Sequence, residues 1–177
     1  PGAFGRFVHY AGRTYRSFLE KRGVIQEGRS ESMSEYENNR AFRIAIYPWV
    51  WLWITLDQLA LPMRLPDDPA LARMLALVNR VTYMRNDIGT LRRDAHDGLE
   101  NYVFYLEREL GVGRERALEV ARERCNDDVR ELLALERVVM SSPERYPEHE
   151  ARAYVGFLES LLVGNLLALE AFGSTEY

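Results

Sequence analysis

The segment NDIGTLRRD, residues 86–94, holds the densest set of side chains able to do chemistry. Asn86, Thr90 and Asp94 are spaced i, i+4, i+8, and at ~100° per residue each step of four returns to within ~40° of the same helix face. Three oxygen donors therefore stack along one side: an amide, a hydroxyl and a carboxylate. These are hard donors of the kind taken by Mg²⁺, an ion that keeps several waters and completes its shell with substrate phosphates. Arg93, beside Asp94, offers a forked contact to a phosphate held by such a metal. The same spacing also describes a solvated polar helix face. Against that stands the setting, with apolar turns before the segment and NYVFYLERELGV after it.

The elements that must position these residues read as helices, because apolar residues recur every three or four positions and strand signals are scarce. A first helix is expected over roughly 4–21, stopping near Gly23, and a second from about Ser34. That helix meets Pro48 in AFRIAIYPWV, where proline removes a backbone donor, so a break is expected near 44–48. Such a break frees backbone groups for a ligand, or serves packing alone. The next helix runs to about 60, a loop with Pro62, Pro66 and Pro69 follows, and Asp68 caps the long helix that carries NDIGTLRRD. Three further helices are expected over NYVFYLEREL, RERALEVARERCNDDVRELLALERVVM and EARAYVGFLESLLVGNLLALEAF. The expectation is one all-α domain over residues 1–177.

Composition narrows the function classes. With 23 Lys+Arg against 27 Asp+Glu the chain is mildly acidic, which argues against nucleic acid as partner, since phosphate binding needs a basic surface. Only Lys21 among the basic residues is lysine. Cys125 stands alone, which rules out an intramolecular disulfide and suits a reducing, cytoplasmic setting. The longest uninterrupted apolar candidate, residues 45–56, is too short for a bilayer, so no membrane span is expected. Nor does the opening from Pro1 read as a signal peptide. His9, His96 and His149 are isolated and receive no role.

Around residues 86–94 the chain resembles the class I terpene synthases, particularly the bacterial type. Their second metal motif has the form N-D-x-x-S/T-x-x-x-E, matched by Asn86, Asp87, Thr90 and Asp94 and followed by NYVFYL. Asp94 replaces the usual glutamate and is one methylene shorter. Arg93 stands where family members often carry a basic residue before the acid. Upstream, SEYENNRAFRIAIYP is similar to the segment in which a tyrosine precedes, by four residues, an arginine that senses diphosphate; Tyr36 and Arg40 fit, and Arg40 lies 46 residues before Asn86. Ala45 and Ile46 fall where the family's helix break exposes backbone to substrate. The family often ends in an Arg-Tyr pair; here Glu176 precedes Tyr177, which keeps its place as a diphosphate contact while the arginine is lost.

The resemblance implies a helical barrel with three Mg²⁺ ions, which ionises a linear isoprenyl diphosphate such as farnesyl or geranylgeranyl diphosphate and cyclises the carbocation. Aromatic faces stabilise carbocations as they do ammonium ions; Phe42, Trp49, Trp53 and Tyr83 are the candidate cavity residues. The family's aspartate-rich first metal motif does not occur before Asn86. Asp67-Asp68 fails its spacing and reads as a helix cap. Asp127-Asp128-Val129-Arg130-Glu131 satisfies D-D-x-x-E but follows the second motif, and reads as a solvated face. The chain thus corresponds to the C-terminal half or so of a synthase, its partners being an upstream half or second chain, with homo-oligomerisation expected. The competing reading is an inactive helical remnant acting as an interaction domain.

Overall fold

The computed structural model describes residues 2–56 and 67–173. Every element among them is helical: α1 (Ala3–Gln26), α2 (Met33–Arg43), α3 (Ile46–Thr55), α4 (Pro69–Gly89), α5 (Leu91–His96), α6 (Tyr102–Leu110), α7 (Arg114–Met140) and α8 (Glu148–Gly173). α1 passes through Gly23 instead of stopping there and closes by αR capping at Glu27, since one helical glycine costs only about 1 kcal/mol relative to alanine. α2 starts slightly earlier than expected. Ser32 is its N-cap, and its side chain and that of Glu35 satisfy each other's backbone N–H groups in a capping box.

α2 and α3 are separated by the expected break, which has a sharper form than proline alone predicts. Ala45 takes the left-handed conformation, φ 61° and ψ 17°, which costs an alanine roughly 1–2 kcal/mol. Its N–H turns to Phe42 O at 2.9 Å, so Ala41 O loses its helical donor. Asn79 of α4 replaces that donor, its Nδ2 donating to Ala41 O at 2.8 Å, while Thr14 of α1 donates to Phe42 O at 3.0 Å. The break is therefore stapled from two neighbouring helices.

α4 is the central element, packed against α2, α6, α7 and α8, while α1 covers α2 and α3. Asp68 caps it as expected, accepting from Ala70 N and Leu71 N, and also binds Arg145 and Tyr146 of the turn before α8. One core cluster gathers Val50, Trp51, Leu71, Met74, Leu77 and Leu158. A second gathers Tyr36, Tyr83, Met84, Tyr102, Val103 and Leu106, directly beneath the segment singled out in the sequence. One surface expectation needs correction. Asp128 does not lie on a solvated face: it is buried and forked by Arg80 of α4, because α7 turns this position inward. One helix among the described residues, over Glu148–Ala171 of α8, is long and apolar enough to cross a membrane by length and composition alone. Little of that stretch is buried among the described residues.

Candidate active site

At its C-terminal end α4 passes into α5 with one departure from regular helix, at Thr90. The i→i+4 bonds continue across it, from Thr90 N to Asn86 O and from Asp94 N to Thr90 O, both at 2.9 Å. The spacing of four therefore survives and the three donors share a side. Thr90 Oγ1 lies 2.6 Å from Asp94 Oδ2. Arg93 meets the other oxygen of Asp94, with Nε at 3.3 Å and Nη2 at 3.2 Å.

Arg40 arrives from α2, and its Nη2 donates to Asn86 Oδ1 at 2.8 Å. The same guanidinium binds Asp87 Oδ1 through Nε at 3.0 Å and Nη2 at 2.6 Å. Sequence-distant candidates thus converge: Asn86, Thr90, Asp94, Arg40 and Arg93 form one continuous hydrogen-bonded group.

Two residues without a role in the sequence reading organise this group. Asp87 is 1% exposed and accepts four hydrogen bonds, the two from Arg40, one from Tyr102 N at 3.1 Å and one from the Tyr36 hydroxyl. Burial, then the Asp87 carboxylate, push the Tyr36 hydroxyl far above its ordinary pKa, which keeps it a donor. Burial works against the Arg40 charge, but Asp87 outweighs it and holds the guanidinium above its ordinary value. Asn101, the N-cap of α6, donates to Asp94 Oδ2 at 2.8 Å and to Asp87 O at 2.6 Å. It locks the α5–α6 loop onto the acid. The sequence signals for both were present: Asp87 inside the motif, and asparagine opening an apolar helix.

The remaining candidates fall elsewhere. Ala45 and Ile46 do sit at the helix break, yet Ala45 O accepts from Trp49 N at 3.4 Å and Ile46 already begins α3. Ile44 O lacks its i+4 helical donor, because that position is Pro48, a residue with no N–H. Counting four back from the proline would have found it. Phe42 lies under the Arg13 guanidinium at 4.6 Å and 5.8 Å from the Tyr47 ring. Trp49 and Trp53 stand out from α3, 54% and 43% exposed. Tyr83 is placed in the core, 2% exposed and edge-on to Tyr102, instead of on an open wall. Tyr177 lies outside the described residues.

The donor chemistry fits a hard divalent cation. Asn86 Oδ1, Thr90 Oγ1 and the Asp94 carboxylate are all oxygen ligands, and two of them already lie within 2.6 Å of each other. Arg40 binds Asn86 Oδ1, and Thr90, Asn101 and Arg93 bind the Asp94 carboxylate.

A model of the family described as terpene synthase family 2, C-terminal metal binding, matches residues 1–131. A curated relative, terpene cyclase 4 of Gibberella fujikuroi, is 21% identical over 109 residues, 62% of this chain and 30% of that protein. Among solved structures, a-eudesmol synthase superposes with a TM-score of 0.81 at 22% identity, covering 94% of this chain and 55% of that one. Linalool/nerolidol synthase from Streptomyces clavuligerus, in complex with 2-fluorogeranyl diphosphate, gives 0.83 at 15% identity, covering 93% and 57%. At these identities the likeness is one of fold. The chain spans under a third of the curated relative and little more than half of each of these solved structures.

Proposed function

The chain belongs to terpene synthase family 2, in its C-terminal metal-binding part, and has the helical fold of the class I synthases; from that premise we propose that it supplies one wall of a terpene cyclase active site. The substrate is a linear isoprenyl diphosphate such as farnesyl or geranylgeranyl diphosphate. The observation that carries this reading is the meeting of Arg40 with Asn86 at 2.8 Å across 46 residues, which sets a cation beside three hard oxygen donors.

Asn86, Thr90 and Asp94 would hold one of three Mg²⁺ ions. Bound Mg²⁺ supplies Lewis-acid charge that stabilises the leaving diphosphate. Arg40 and Arg93 orient the diphosphate with N–H donors and stabilise the negative charge that develops on its oxygen as the allylic C–O bond breaks. Asp87 and Tyr36 fix the guanidinium of Arg40 before substrate arrives, so little reorganisation is left for the reaction. The break at Ile44 and Ala45 presents a carbonyl dipole, and Phe42 at the end of α2 with Trp49 and Trp53, exposed on α3, would offer aromatic surface for a carbocation. Tyr177 would add a diphosphate contact. The opposed wall with the aspartate-rich motif comes from an upstream segment or a second chain, and the exposed apolar face of α8 suits such packing. A single domain over 1–177, homo-oligomerisation and a cytoplasmic setting belong to the same proposal.

Thermal unfolding with Mg²⁺ plus inorganic diphosphate tests the site without the missing wall. At a hundred times Kd the ligand stabilises by about 2.7 kcal/mol, or roughly 5–11 °C in Tm for a chain of this size. The shift requires both components and is lost in Asn86→Ala and Asp94→Ala. No shift would remove the diphosphate site. Binding without turnover once the rest of the synthase fold is supplied would select the second reading, an inactive interaction domain.

A further inference from the structure

Asn86 and Asp87 face α2, whereas Arg85, Ile88 and Gly89 face the other way, toward α7 and α8. There they line a recess of about 360 Å³ with Arg122, Cys125, Asn126 and Val129 of α7 and Leu166 and Leu169 of α8. Its walls are apolar. Its polar lining is the two guanidinium groups, the Asn126 amide and the thiol.

Arg85 and Arg122 bring two guanidinium groups to this one recess. Arg40, Arg73, Arg80, Arg114 and Arg145, by contrast, are each held by a carboxylate. Arg85 and Arg122 make no ion pair or hydrogen bond among the described residues, and no carboxylate lines the recess. Asp128, which reaches the Cys125 thiol electrostatically, is already forked by Arg80. Two guanidinium groups with no carboxylate partner among the described residues therefore line one apolar recess.

From this we infer that the recess between α4, α7 and α8 binds a small amphiphilic oxyanion, its head on Arg85 and Arg122 and its tail against Ile88, Val129, Leu166 and Leu169. Guanidinium forks match carboxylate and phosphate oxygens, and the walls exclude water from a short aliphatic chain. The site needs no metal. It stands independently of the proposed cyclase chemistry.

Cys125 is the reporter, being the only cysteine in the chain and a lining residue of the recess. Burial pushes its thiol up, with Arg85 pulling the other way, so alkylation is followed at mildly alkaline pH by mass spectrometry of the intact chain, with EDTA present. Octyl phosphate at ten times its Kd slows alkylation about tenfold, while octanol and inorganic phosphate at the same concentration do not. Octanoate tests the carboxylate head; protection by either amphiphile supports the site, and the stronger names the head group. Protection is lost in Arg85→Gln/Arg122→Gln, whose side chains leave no partner behind, and persists in Asn86→Ala. Absence of protection by both amphiphiles overturns the inference. So does equal protection by octanol, or protection undiminished in the double variant.

Discussion

Asp87→Asn isolates the group on which the site's geometry rests. The substitution keeps size and one carbonyl oxygen but removes the charge that holds Arg40 through contacts at 2.6 and 3.0 Å and that accepts from Tyr36 and Tyr102 N. Breaking a buried ion pair by neutralising one partner typically costs about 3–5 kcal/mol, because the other charge is left uncompensated. Arg40 retains 19% side-chain exposure against 2% for Asp87, so water relieves part of its charge and the lower end, about 3 kcal/mol, applies. For a chain of this length that lowers Tm by roughly 6–12 °C. Urea unfolding followed by far-UV circular dichroism should show a lower midpoint with unchanged m. Adding Arg40→Gln removes the stranded charge, so the double variant should recover part of the loss, with a coupling of about 0.5–3 kcal/mol. A loss below about 1 kcal/mol, or a strictly additive double variant, would refute the argument that Asp87 holds Arg40 in place.

Ala45→Gly relieves the left-handed backbone at φ 61° and should raise stability by up to about 1 kcal/mol, read as a higher urea midpoint. Asn79→Leu leaves Ala41 O without the donor at 2.8 Å and should cost about 1–3 kcal/mol, while Thr14→Val, with a half-buried bond, should cost less. Burial raises the Asp68 carboxyl, but hydrogen bonds from Leu71 N, Arg145, Tyr146 and Ala70 N outweigh it and leave its pKa below 3.8. A depressed folded pKa contributes stability that is present above the unfolded value and lost as pH falls through the folded one. The stability gap between the wild-type chain and Asp68→Asn should therefore be full at about pH 6 and shrink below about pH 4, as measured by thermal unfolding across that range.

Much of this molecule was legible in its residues because local rules fixed it. Asp68 before Pro69 satisfies the open N–H groups of a helix start within a few residues, whereas the start expected near Ser34 falls at Ser32, capped with Glu35. The four-residue spacing of Asn86, Thr90 and Asp94 fixed their common face for the same reason. Helical periodicity likewise marked the all-α class.

Only tertiary structure decided what those faces meet. That Arg40 binds both Asp87 and Asn86 depends on α2 packing beside α4, and spacing within one helix carries no information about a partner 46 residues away. Asp128 illustrates the same limit, since its sequence neighbours suit a solvated face and only the crossing of α7 over α4 puts Arg80 opposite it. Pro48 announced a break and leaves Ile44 O without an i+4 donor, but the left-handed turn at Ala45 goes with the staples from Asn79 and Thr14 on Ala41 O and Phe42 O. Backbone chemistry can place a break to within a turn. Which residue turns left-handed depends on long-range contacts that compete with the helix for each hydrogen bond.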